Sequence, residues 1–130
     1  MKRDWHARVG LGLLPAILAL AASFAVAQEM TERHIPVGAY PSMESQYLAT
    51  GTIADVDEDA KVLTLEQEGS ERSFRLTGNT RIWLDRSRFG QTTLDGDITD
   101  LAKGLRAEVR FLGPRRPNEA YWVKVQIPPP

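Results

Sequence analysis

DVDEDAKVLTLE, residues 55–66, admits two opposed readings. Asp55, Asp57, Asp59 and Glu66 fall at the oxygen-ligand spacing of a twelve-residue calcium loop, which needs a helix on either side and a sharp turn, almost always glycine, at its sixth position. The sixth residue here is Ala60, whose Cβ resists a positive φ. The flanks, 51–56 and 62–66, alternate apolar and polar residues with the period of a strand. On that reading residues 57–60 are the tip of a hairpin, where aspartate suits turn geometry, and Glu66 lies well along the second strand, beyond reach of an ion at the turn. The hairpin reading fixes the class as all-β.

The alternation continues in both directions. YLATGTIADV (47–56) is a strand in which Gly51 marks a bend or bulge. KVLTLEQ (61–67) puts Leu63 and Leu65 on one face, and ERSFRL (71–76) does the same with Phe74 and Leu76. After the Thr77-Gly78-Asn79 turn comes TRIWL (80–84), and the pattern is then lost over 86–97, which reads as a long loop. DITDLAKG (97–104) reads as one helical turn, capped by Asp97 and ended at Gly104 in a left-handed conformation. LRAEVRFL (105–112) and AYWVKVQI (120–127) complete the series, with Val109, Phe111, Val123 and Val125 on inward faces. Five or six short strands with one apolar face each cannot bury those faces as a flat open sheet. The expectation is a small OB-like barrel over residues 47–128, with the helical turn plugging one end.

The N-terminus sets the compartment. Lys2, Arg3 and Arg8 precede an uncharged apolar run over 9–27 that ends in Ala25-Val26-Ala27. This is the pattern of a secretory signal peptide over residues 1–27 and implies a periplasmic protein. The run is nearly long enough to span a bilayer, but Gly10, Gly12, Pro15 and the small-residue end favour removal over anchoring. Residues 28–46, with two prolines and no sustained period, read as a flexible lead-in. The remaining 103 of 130 residues are enough for one domain. With no cysteine, disulfides, zinc–thiolate sites and cysteine nucleophiles are excluded.

The ordered series ATGTIADVDEDAKVLTLEQEG, FRLTGNTRI, ITDLAKGLRAEVRF and AYWVKVQI resembles a widespread, uncharacterised family of bacterial exported small-barrel domains. That resemblance implies a β-barrel outside the cytoplasm and almost nothing about activity. The series is also similar to the periplasmic copper chaperones of the Cus efflux system. Their Trp-x-x-Met-x-Met segment is replaced here by EQEGSERSF (66–74), so the likeness extends to the fold and not to the copper ligands.

Charge is uneven: seven acids and one lysine over 55–71, then eleven bases and six acids over 72–124. The bases are scattered along strands as solvated faces are, and nucleic acid is not expected as a partner. Catalysis has little support, because the one histidine after the signal segment, His34, lies in the lead-in, and neither a phosphate loop nor a serine motif is present. No enzymatic activity and no cofactor are expected. Met30, His34 and Met43 are the weak candidates for a soft metal such as Cu(I). Asp95, Asp97 and Asp100 read chiefly as caps.

The more informative pair is Trp83 and Trp122, which point away from the core if Ile82, Leu84, Tyr121 and Val123 point into it. Arg81, Arg106, Arg110 and Lys124 share their parity. Such a face is a candidate platform for an envelope protein or polysaccharide, with Trp83, Trp122, Arg81, Arg110 and Lys124 as its contacts. The bland alternative puts one tryptophan over a barrel end and the other under the lead-in or the long loop. The expected role is a non-catalytic binding or interaction module. The alternatives are a copper-handling protein and an accessory domain without a ligand.

Overall fold

The computed structural model describes residues 32–40 and 47–130. Residues 1–27, read from sequence as a signal peptide, and Met30 and Met43 lie outside these residues, and the chain divides into two units, Met1–Glu32 and Arg33–Pro130. Only the second is described beyond one residue. It is all-β, with seven strands: β1 (Leu48–Asp57), β2 (Val62–Gln67), β3 (Ser70–Arg75), β4 (Arg81–Asp85), β5 (Leu94–Asp95), β6 (Arg106–Phe111) and β7 (Ala120–Gln126). They form one sheet in the order β3-β2-β1-β6-β7-β4-β5. Every pairing is antiparallel except β4 with β7.

The local chemistry explains the turns. Asp57 pairs with Val62 across the first hairpin, and Asp57 Oδ1 accepts the Ala60 N–H at 2.9 Å. The positive φ falls on Lys61, at 59°, and not on Ala60. Glu66 pairs with Thr52, far along the ladder from Asp57, so the calcium spacing is a coincidence of a hairpin. In the second hairpin Glu68 and Gly69 both take positive φ, the mirror-image turn whose twist matches that of its strands.

β1 is the pivot. Its first half pairs with β6 and its second half with β2, and the register shifts between Ile53 and Asp55. That bulge lets one strand serve two neighbours in different directions. Gly51 stands just before it for a different reason: a Cβ there would lie 2.3 Å from the Glu66 carbonyl oxygen. Ile53 itself is fixed from outside the sheet, accepting from the Gly104 N–H and donating to the Leu105 carbonyl, each at 2.8 Å. The 3₁₀ turn Ile98–Asp100 is held by a reciprocal capping box between Asp97 and Asp100, and Gly104 follows it with φ 92°. This is the helical turn expected from sequence, and Leu101 beside it enters the core.

The closed barrel of five or six strands is corrected in two respects. First, the long loop contributes a seventh strand. A 3₁₀ turn at Ser87–Phe89 ends at Gly90 and reverses the chain, so that Leu94 and Asp95 pair with Leu84 and Trp83. Second, the sheet is not closed. β3 pairs only with β2, and β4 pairs only with β7 and β5, because the turn at 77–80 separates β3 from β4. Across that gap the ladder is reduced to a single bridge, Arg75 with Glu119. The sheet still curls around one core: Phe74 of β3 stacks on Phe111 of β6 at 6.1 Å, although two strands lie between them in the order. Ile53, Leu63, Leu65, Phe74, Val109, Val123 and Val125 are its centre.

The two kinds of glycine separate by experiment. Gly51→Ala is expected to lower stability by about 1–3 kcal/mol through overpacking against Glu66. Gly78→Ala, where no atom lies within 4 Å of the added Cβ, should stay within about 0.5 kcal/mol of the parent. Urea unfolding of both variants measures the contrast; equal midpoints would show that β1 can move away from β2.

Candidate binding surface beneath the lead-in

The side of the sheet opposite the core is built by β6, β7 and β4, which lie side by side. Their registers place the outward residues in rows. Arg110, Trp122 and Arg81 are in line, and so are Glu108, Lys124 and Trp83. Asp85 follows one step further along β4, opposite Gln126. The five residues selected from sequence therefore do come together, in two adjacent rows of one face. Ile82, Leu84 and Val123 pack on the core side, as their parity requires.

The exposure of that face is different from the expectation. Trp83 is 3% exposed, and Trp122 and Lys124 are 0% exposed; only Arg81 lies open, with Arg110 half-buried. The tryptophans are not an open platform. They touch each other with ring centroids 5.3 Å apart, and Tyr40 lies 6.5 Å from Trp122. Among the described residues the cover is 33–40, RHIPVGAY, part of the segment expected to be flexible. These residues pack because they bring one apolar side chain, one aromatic ring and a set of main-chain groups to a face that can satisfy all of them.

The strap is held mainly through its backbone. The Val37 N–H donates to Asp85 Oδ2 at 2.9 Å, and the Gly38 N–H donates to Glu108 Oε2 at 3.2 Å. The Lys124 ammonium donates to the Ile35 carbonyl. A tight turn shapes the segment: the Ala39 N–H bonds the Pro36 carbonyl at 3.0 Å, and Gly38 takes φ 81°. Glycine at the third position of a turn with that φ is the type II requirement. A Cβ on Gly38 would also meet the Arg106 guanidinium at 3.0 Å. At the ends, Arg33 pairs with Asp95 at 2.7 Å and bonds the Thr93 carbonyl, while Arg110 donates to the Tyr40 hydroxyl at 3.3 Å.

Three buried charged side chains lie in this layer, and Lys124 and Asp85 are more fully compensated than Glu108. Lys124 Nζ sits 4.7 Å from the Trp122 ring centroid and 5.8 Å from that of Trp83, a desolvated cation–π arrangement. Burial pushes the Asp85 carboxyl up. Hydrogen bonds from the Ser87 side chain and from the Val37 and Ser87 N–H groups, with the nearby Lys124 charge, outweigh it and hold the group below its ordinary value of 3.8. Glu108 Oε2 also accepts from Thr50 Oγ1 at 3.0 Å, whereas Glu108 Oε1 is buried with no partner among the described residues.

The other sequence candidates resolve as structure. Asp95 belongs to the Arg33 ion pair, and Asp97 and Asp100 cap their own turn. His34 is exposed on the strap, and among the described residues there is no cluster of three metal-ligating His, Cys, Asp or Glu side chains. Asp85, Glu108, Val37 and Gly38 were missed. A signal for the first two was present: they share the parity of Trp83 and Lys124, and a strand face mixing tryptophans with both charge signs is one that something else completes.

Asp85 makes the layer acid-sensitive. A lowered folded value stabilises the protein above the ordinary aspartate range, and this contribution is lost as pH falls through the lowered value. Asp85→Asn should therefore cost about 1.5–3 kcal/mol at pH 7, with the gap to the parent narrowing below pH 3.8. Urea unfolding of both proteins at several pH values reads this directly, and a gap independent of pH would refute it.

Comparison with protein-family models, curated proteins and solved structures returned no match.

Proposed function

We propose that this chain is an exported, periplasmic, non-catalytic interaction module, and that its binding face is the Trp83–Trp122–Lys124 layer flanked by Arg81 and Arg110. The observation that carries the reading is how residues 33–40 are held. Asp85, Glu108 and Lys124 all bond main-chain groups of an irregular polypeptide segment, two N–H groups and one carbonyl. A face that recognises peptide groups in this way suits a polypeptide ligand better than a polysaccharide. The strap is then a resident occupant of a site shaped for a turn of polypeptide. It adds no strand to the sheet, so lifting it breaks no ladder.

The fold suits the same role. An OB-like plan is supported by treating β3 and β4 as two halves of one interrupted strand, the first against β2 and the second parallel to β7. The N-terminal signal pattern supports export.

The test is whether the strap opens independently of the domain. Native-state hydrogen exchange should find the Val37 and Gly38 amides exchanging through a local opening of lower free energy than the β6 and β7 amides. Exchange of both sets only by global unfolding would make the strap a fixed part of the fold and remove the binding reading.

A further inference from the structure

We propose that the turn between β6 and β7, together with β3, forms a basic surface that docks peripherally on a membrane displaying anionic phospholipid headgroups. It uses none of the residues of the face beneath the strap and does not depend on the reading of that face.

The first argument is that the fold gathers guanidinium groups which the sequence scatters. Arg72 and Arg75 stand on β3, while Arg115 and Arg116 stand in the turn 112–119. The bridge between Arg75 and Glu119 brings the two segments together. Glu71 and Glu119 are the acids of these segments. The whole chain carries a formal net charge of −1, so four arginines at one place do not reflect general basicity.

The second argument is that these groups are held in position. Glu119 has a side chain only 15% exposed, and its carboxylate lies 3.0 Å from Arg75 and 3.9 Å from Arg116. Those two arginine side chains remain 67% exposed. The carboxylate thereby keeps side by side, at the surface, two cations that would otherwise repel. Arg72 is fixed separately. Its guanidinium lies 4.8 Å from the Phe74 ring centroid and 4.3 Å from that of Phe111, and Nη2 donates to the Pro117 carbonyl at 2.8 Å. Arg75, Arg116, Pro117, Asn118 and Glu119 line a cleft of about 300 Å³. Guanidinium is a planar fork of donors that matches two oxygens of a phosphate, and its N–H groups left over here face outward.

The third argument selects a lipid surface over a free phosphate. Leu112 is 42% exposed, one of two large exposed hydrophobics among the described residues. Its N–H donates to the Glu119 carbonyl at 3.2 Å, continuing the pairing of Phe111 with Ala120. Leu112 and Glu119 therefore stand opposite each other and share a side of the ribbon. A soluble anion would need only the arginines. An exposed leucine beside them suits a surface that offers anionic headgroups and an apolar boundary together.

Vesicle co-sedimentation tests this with the chain in the soluble form recovered from cells. The vesicles are phosphatidylcholine mixed with phosphatidylglycerol, and phosphatidylcholine alone. The chain should bind the anionic vesicles, come off them as salt is raised, and ignore the neutral ones. Arg115→Ala combined with Arg116→Ala should weaken binding by about fivefold for each guanidinium removed, and Leu112→Ser should also weaken it. Arg88→Ala, which removes an exposed arginine elsewhere, should bind as the parent does. Circular dichroism checks each fold, and Arg115→Ala alone, at an exposed position, carries the test if the double variant does not fold. A parent that binds neither kind of vesicle, or both equally, overturns the proposal. So does parental binding by the arginine or the leucine variant, or an equal loss in Arg88→Ala. Calorimetric binding of inorganic phosphate by a chain that ignores anionic vesicles overturns the membrane as occupant and assigns the cleft to a free anion.

Discussion

A lysine ammonium with no access to water must be given a countervailing environment, and in this fold Lys124 dictates much of what surrounds it. Removing such a charge from water costs several kcal/mol unless hydrogen bonds and neighbouring charge offset it. Two tryptophan faces, the Ile35 carbonyl and the nearby Asp85 carboxylate supply that environment. One of these, the Ile35 carbonyl, comes from residues 33–40. The strap is consequently coupled to the sheet by electrostatics as much as by apolar burial. The central strands β6 and β7 carry two buried layers, an apolar one toward the core and a mixed one beneath the strap.

The strand pattern was largely legible, and for a physical reason. Alternation with period two is a local property, and the strands run within a residue or two of where it places them. Parity was legible as well: Trp83, Trp122, Arg81, Arg110 and Lys124 do share a face. What parity cannot give is exposure. An outward residue is exposed only if nothing irregular covers it, and RHIPVGAY has no period to announce that it will pack. Its recognition is by backbone groups and one glycine conformation, which leave little trace in composition. The two-residue β5 was hidden for a similar reason, since its partner is set by the reversal at Gly90 and not by alternation.

Openness of the sheet is where the sequence reading, which expected a closed barrel, was wrong. The run from Ser70 to Asp85 reads as two strands and a turn, and the Thr77-Gly78-Asn79 stretch interrupts either an open ladder or a closed barrel equally well. In the structure Thr80 Oγ1 donates to the Ala120 carbonyl at 2.7 Å, and Arg75 N–H donates to the Asn118 carbonyl. The break is thus tied to the start of β7 by a side chain and one main-chain bond in place of a continuous ladder. β1 absorbs the resulting curvature through its bulge and the close approach at Gly51. The core is shared by strands from both ends of the order, so the fold gains the burial of a barrel without its full complement of hydrogen bonds.

The composition of the covered layer has a consequence for how the strap can behave. An all-apolar layer would hold the strap by the hydrophobic effect alone, and uncovering it would expose a contiguous greasy patch prone to association. Asp85, Glu108 and Lys124 change that balance. Covered, each bonds at least one main-chain group, with Glu108 Oε1 left unpartnered among the described residues; uncovered, they would be rehydrated by water, which offsets part of what the lost contacts contributed. The free-energy difference between the two states is smaller than the buried area alone would suggest. Charged residues at this place therefore work against permanence. A face meant only to finish the fold is most simply finished with valine and leucine, as the opposite side of these same strands is. On the proposed reading, a face that holds a polypeptide and releases it needs groups that water accepts as readily as a peptide does.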